Sequence, residues 1–125
     1  MNDRAKVTGF KYDEKTLESN LRNALGKVGY DKYIKRDSRV FVKPNFTAPF
    51  FKPGVTTNGS VLEATLRVLK DITSEVYVGE SDGGNYSFTA EYSLRNHNVP
   101  EICKRTGAKM INLSETEWVR VTDNI

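Results

Sequence analysis

The sequence predicts a single α/β domain built on a mostly parallel sheet, and three observations carry that prediction. Short β-branched or aromatic segments alternate with longer segments whose apolar residues recur every three to four positions, the order that yields parallel βαβ units. One short segment, Arg39-Val40-Phe41-Val42-Lys43, offers apolar side chains to both of its faces, as does a central strand covered by helices on both sides. Leu, Ile, Val and Phe together supply 31 of the 125 residues, above the roughly 20% at which highly charged chains tend to stay disordered. A chain of this length has room for one core.

Taken in order, residues 5–10 (Ala-Lys-Val-Thr-Gly-Phe) form a short apolar segment read as a first strand, interrupted by Gly9. Asp13 caps a helix whose apolar positions Leu17, Leu21, Ala24, Leu25 and Val28 share a face, and Gly29 supplies the left-handed stop. The strand at 39–43 ends at Pro44, which has no N–H to give to a ladder. Residues 44–59 then hold three prolines, two glycines and the aromatic cluster Phe46, Phe50 and Phe51, a long irregular connection of the type that is usually functional. The next helix begins at Asn58, or at Ser60 with Glu63 as a capping box, carries Val61, Leu62, Thr65, Leu66, Val68, Leu69 and Ile72 on one broad side, and ends near Thr73. Glu75-Val76-Tyr77-Val78-Gly79 is a strand, followed by the polar, glycine-rich loop Glu80-Ser81-Asp82-Gly83-Gly84. Helices follow over about 88–96 and 99–106, the second with Asn98 as cap and Gly107 as stop, then a strand over 109–113. Trp118-Val119-Arg120-Val121 reads as an edge strand. With right-handed crossovers this order gives a three-layer α/β/α, Rossmann-like fold with a sheet of four to five strands.

Charge and cysteine usage bound the function. The net charge is +3, too small to demand nucleic acid or an anionic membrane as partner. Its distribution is uneven, with +7 over residues 1–70 and −4 over residues 71–125, so an anion site should draw on the first half. The N-terminus lacks the apolar core of a secretory signal, and no apolar run approaches a membrane span. With a lone Cys103, which can form neither an internal disulfide nor a Cys-rich metal site, this points to the reducing cytoplasm.

In open parallel sheets ligands bind beyond the carboxyl ends of the strands. That rule gathers Lys43 and Asn45, the loop Glu80, Ser81, Asp82, Gly83 and Gly84, and the stretch 112–114, with Thr56, Thr57 and Asn58 at the following helix start facing the same crevice. A Lys ammonium beside a positive helix end favours a small phosphate- or carboxylate-bearing ligand. Taken singly each residue has a plainer role: Lys43 as an ion-paired surface group, Thr56 to Asn58 as a helix cap, the glycines as a tight turn. Neither the dinucleotide nor the phosphate-loop glycine motif is present. Glu80 and Asp82 are the candidate ligands for Mg²⁺. His97 has no second His or Cys at ligand spacing and is read as a surface or capping residue. Cys103 is read as a small, half-buried helix residue.

Several of these segments resemble the N-terminal half of the domain of unknown function 362 family: Val40 to Phe46 with its Lys-Pro-Asn step, Gly54 to Asn58, Val76 to Ser81 with its Val-Gly-Glu-Ser loop, and Gly107 to Lys109. Asn58 and Gly59 stand where that family has Asp-Pro, which keeps the capping function, and Phe46 stands where Leu is common. The resemblance implies a shared site of Lys43, Asn45, Thr56, Thr57, Glu80 and Ser81. It also implies that residues 1–125 are the N-terminal part of a longer family domain, with part of that site lying in a second half. Some relatives carry ferredoxin-type cysteine clusters, but one cysteine cannot hold an iron–sulfur cluster. A domain so divided should leave apolar surface exposed around Phe46, Phe50, Phe51 and Trp118, with a homodimer as its consequence. A non-catalytic module docking its basic half on nucleic acid or an acidic partner is the alternative function.

Overall fold

The computed structural model describes residues 5–83 and 88–121. Gly84, one of the residues assigned to the glycine-rich loop, lies outside them. Three strands, β1 (Arg39–Val42), β2 (Glu75–Glu80) and β3 (Lys109–Asn112), form a parallel sheet in the order β1-β2-β3. The pairs Val42 with Val78 and Val78 with Met110 fix the register. Four α-helices accompany the sheet: α1 (Leu17–Val28), α2 (Gly59–Ile72), α3 (Ala90–Asn96) and α4 (Val99–Thr106). The mixed α/β class and the parallel sheet are therefore as the sequence indicates.

The sheet is smaller than expected, and β2, not β1, is central. Residues 5–10 form no strand. They are almost wholly exposed, with Val7 at 93%, and no strand among the described residues pairs with them. Residues 118–121 likewise stay irregular and exposed. A crossover from β1 to β2 and another from β2 to β3 travel in the same direction across the sheet, and right-handed connections of that kind place every helix on one face. The contacts agree: Val76 and Val78 are fully buried against Leu62, Leu66, Leu69, Leu94, Val99 and Ile102 of the helices, with Val40 and Val42 at the margin. The alternate residues of the strands, among them Phe41 and Tyr77, lie on the other face, where no helix among the described residues covers them and Phe41 remains 44% exposed. The third layer of the expected α/β/α sandwich is thus not seen among the described residues, and the fully apolar pattern of β1 misled because its second face is open.

The helix boundaries follow from side-chain chemistry. Asp13 accepts the Lys15 N–H at the 3₁₀ turn leading into α1, and Gly29 closes α1 with φ 74°. At α2, Asn58 accepts the N–H groups of Ser60 and Val61. It leaves Glu63 free of any capping-box role. Glu63 instead receives Arg105 of α4 in a two-pronged contact, with Nη2 to Oε2 at 2.6 Å, and Arg67 of its own helix at 2.7 Å. These contacts, led by the Arg105 hydrogen bonds, hold the Glu63 carboxyl at a pKa of about 2. Asn98 starts α4 in the left-handed conformation, φ 59°, with no side-chain capping bond, and Gly107 ends it at φ 73°.

Candidate functional site

The sequence places Lys43 one residue beyond β1 and Glu80 at the last position of β2, and the parallel pairing of these strands brings their carboxyl ends together. Lys43 Nζ donates to Glu80 Oε1 at 2.6 Å and, at 3.4 Å, to the Pro44 carbonyl. The two partners differ in setting: the Lys43 side chain is 57% exposed, that of Glu80 only 10%. The second Glu80 oxygen accepts the Ser81 N–H at 2.9 Å. The loop then turns under the control of Asp82, whose N–H donates to Ser114 Oγ and whose Oδ1 accepts the N–H of Ala90, each at 2.8 Å. Asp82 is thereby a brace between the loop after β2, the start of α3 and the segment after β3. Gly83 N–H donates to the Phe88 carbonyl at 3.0 Å, and the Phe88 ring lies so close over Gly83 that an added Cβ would meet it at 3.0 Å.

Between these loops lies a cavity of about 270 Å³. From the first loop Lys43, Asn45, Phe46 and Thr47 line it, and from the second Glu80, Ser81, Asp82, Gly83 and Phe88. Of the residues expected at a site, Lys43, Asn45, Glu80, Ser81, Asp82 and Gly83 come together here.

Thr56, Thr57 and Asn58 do not line the cavity, and their side chains are committed elsewhere. Thr56 Oγ1 accepts the Lys52 N–H at 2.8 Å, which closes the turn containing Gly54 at φ 74°. Thr57 Oγ1 accepts the Asn45 N–H at 2.8 Å, while Thr57 N–H returns a bond to the Asn45 carbonyl at 2.9 Å. Asn45 also donates its amide to Val55 O at 2.7 Å. These bonds tie the two ends of the long loop together. The Thr-Thr-Asn motif is a frame that positions the Lys43 to Thr47 strip, with Asn58 spent on the α2 cap.

The sequence reading missed three members of the lining, Phe46, Thr47 and Phe88, and the residue that supports Phe46. Phe46 is not part of an exposed patch: it is 4% exposed and stacks on the His97 ring, with centroids 3.9 Å apart and planes at 6°. His97, read as a surface or capping residue, is 7% exposed, and its Nε2 is 2.9 Å from the Ala48 carbonyl. It packs one side of the loop from the C-terminus of α3. Thr47 and Phe88 carry no motif and enter the lining only through the fold of their loops. Phe50 and Phe51 are exposed as expected, at 56% and 50%, and Phe50 meets Tyr92 edge to face.

Chemically, the lining offers one ammonium, hydroxyl and amide groups and two carboxylates. Among the described residues no set of three or more His, Cys, Asp or Glu side chains is arranged to hold a metal ion. Glu80 and Asp82 already serve Lys43 and backbone N–H groups. Cys103 is buried, and burial raises its thiol pKa, which disfavours the nucleophilic thiolate. No helix among the described residues is long and apolar enough to cross a membrane.

Residues 40–124 match the profile of a family described as a domain of unknown function, DUF362. The matched stretch contains both loops of the cavity. No curated protein and no solved structure matches the chain. Since the profile spans well over half of the sequence, including the Lys-Pro-Asn and Val-Gly-Glu-Ser segments that form the cavity, the chain belongs to the DUF362 family.

Proposed function

We propose that the cavity at the carboxyl ends of β1 and β2 binds a small phosphate- or carboxylate-bearing ligand, with Lys43 as its cationic contact and Thr47 and Ser81 as hydroxyl donors. The observation that carries this reading is the placement of the Lys43 ammonium, more than half exposed, at the rim of a preformed cavity whose other face is built from the loop after the neighbouring parallel strand. That is the position at which open parallel sheets present ligands. The bond to Glu80 orients the ammonium without burying it, so a ligand can share it. Mg²⁺ is left out of the proposal because no set of three or more potential ligands converges among the described residues. We place the protein in the cytoplasm on the strength of its lone cysteine.

Thermal unfolding with inorganic phosphate, nucleotides and small carboxylates tests the proposal. A ligand at 100 times its dissociation constant adds about 2.7 kcal/mol of stability. Lys43→Ala should remove that gain with a modest intrinsic loss of stability, because the largely buried Glu80 carboxylate is left without its ammonium partner. A large intrinsic loss would mark Lys43 as structural instead. The docking-module alternative rests on the basic first half alone, and three of its cations, Arg22, Lys43 and Arg67, are already paired with Asp71, Glu80 and Glu63.

A further inference from the structure

We infer that the ligand of this cavity is zwitterionic: a small molecule whose phosphate or carboxylate is accompanied by an ammonium group. The inference rests on the reading of the cavity as an anion site and narrows it. Among the described residues the charges in the lining are one cation, Lys43, and two carboxylates, Glu80 and Asp82. Lys43 and Glu80 are 2.6 Å apart and neutralise each other, so Asp82 leaves the lining with a net negative charge. A ligand with only negative charge would reach Lys43 in the company of two carboxylates, and juxtaposed like charges select against it.

A ligand that brings its own cation reverses that selection. Its anionic group takes Lys43 and the nearby hydroxyls, and its ammonium meets the carboxylate side of the same cavity. Asp82 is held for this from two directions, by Ser114 Oγ on its N–H and by the Ala90 N–H on its Oδ1. Phe46 and Phe88 supply aromatic walls, which also suit a cationic group. The volume of about 270 Å³ lies just under the usual range of about 300–1,000 Å³ for small-molecule sites, so both charges must sit on one compact molecule. A chelated metal would be another source of positive charge, but no three-ligand cluster is formed among the described residues.

Calorimetric titration of the full chain at low salt tests this with matched probes: 2-aminoethyl phosphate against ethyl phosphate, and β-alanine against propionate. The expected result is that the amino member of at least one pair binds about tenfold or more tightly than its neutral-tailed partner. Asp82→Asn keeps an acceptor for the Ala90 N–H and should reduce that ratio to less than about threefold, partly by tightening the probe that lacks the amine. Equal affinities within each pair, both abolished by Lys43→Ala, would overturn the zwitterion and leave the anion site standing. An undiminished ratio in Asp82→Asn would also overturn it, as would a gain for ethyl phosphate on adding Mg²⁺ that matches the gain from the amine. Failure of all four probes to bind would overturn both the inference and the anion site.

Discussion

At position 79 a single methyl group is too much. An ideal Cβ there would lie 2.2 Å from the Ile111 carbonyl oxygen and 3.3 Å from the tip of the Phe41 ring. The nearer obstacle is backbone and cannot swing aside, so the contact forces β3 away from β2. Gly79→Ala should cost about 3 kcal/mol or more, measured as the shift in urea midpoint at constant slope; a loss below about 1 kcal/mol would contradict the close approach. The sequence presents Gly79 as the last residue of its strand, where with Gly83 and Gly84 it fits a tight strand-to-helix turn. Its actual role depends on a strand 32 residues further along the sequence, which local pattern does not reveal. His97 was illegible for the same reason: its stacking partner Phe46 is in another loop, and nothing near either residue in the sequence marks the pair. Lys43 and Glu80 were legible because each directly follows or ends an obvious strand.

At the scale of elements, the helices were readable almost to the residue, because caps and stops are local chemistry. Asp13, Gly29, Asn58 and Gly107 stand where the chain turns into or out of its helices. What joins one helix to another was not readable. The link between α2 and α4 runs through Glu63 and Arg105, which the sequence offers only as a capping-box glutamate and a basic residue near a helix end. Its pH dependence follows from the sign of the shift. With the folded pKa at about 2 and an ordinary value of 4.5, ionised Glu63 stabilises the fold above pH 4.5, and that stability is lost as the pH falls from 4.5 toward 2. Allowing for the partly exposed arginines, the contribution at neutral pH is about 1–2 kcal/mol. Glu63→Gln should therefore be less stable than the parent by that amount at pH 7, and the gap should close in urea titrations carried down toward pH 2. A gap independent of pH would assign the loss to packing.

The whole molecule exposes more surface than a compact chain of its size. Its accessible area is 9193 Å², against about 6,700 Å² expected for a compact monomer of 14.1 kDa. The extended segments 5–13 and 116–121 and the uncovered face of the sheet contribute to the excess. In those segments Val7 at 93%, Val119 at 81%, Val121 at 79% and Trp118 at 77% are the most exposed apolar residues, and on the sheet face Phe41 is 44% exposed. The sequence reading anticipated such surface but put the buried Phe46 in it and took both faces of β1 as covered. A stable interface needs only about 800 Å² from each partner, so self-association is the expected behaviour. Sedimentation equilibrium should show a concentration-dependent dimer that Phe41→Lys weakens; a monodisperse monomer up to about millimolar protein would show that this face stays open to water.

The central claim is that the loops after β1 and β2 form one anion-binding site around Lys43. Backbone amide NMR during titration with inorganic phosphate and 2-aminoethyl phosphate tests it most directly, because it reports position as well as binding. The account predicts saturable shifts concentrated at residues 43–47 and 80–83, absent in Lys43→Ala and leaving the helix-packed core around Leu66 and Leu94 unmoved. Shifts centred on other residues, or shifts that persist unchanged in Lys43→Ala, would contradict it.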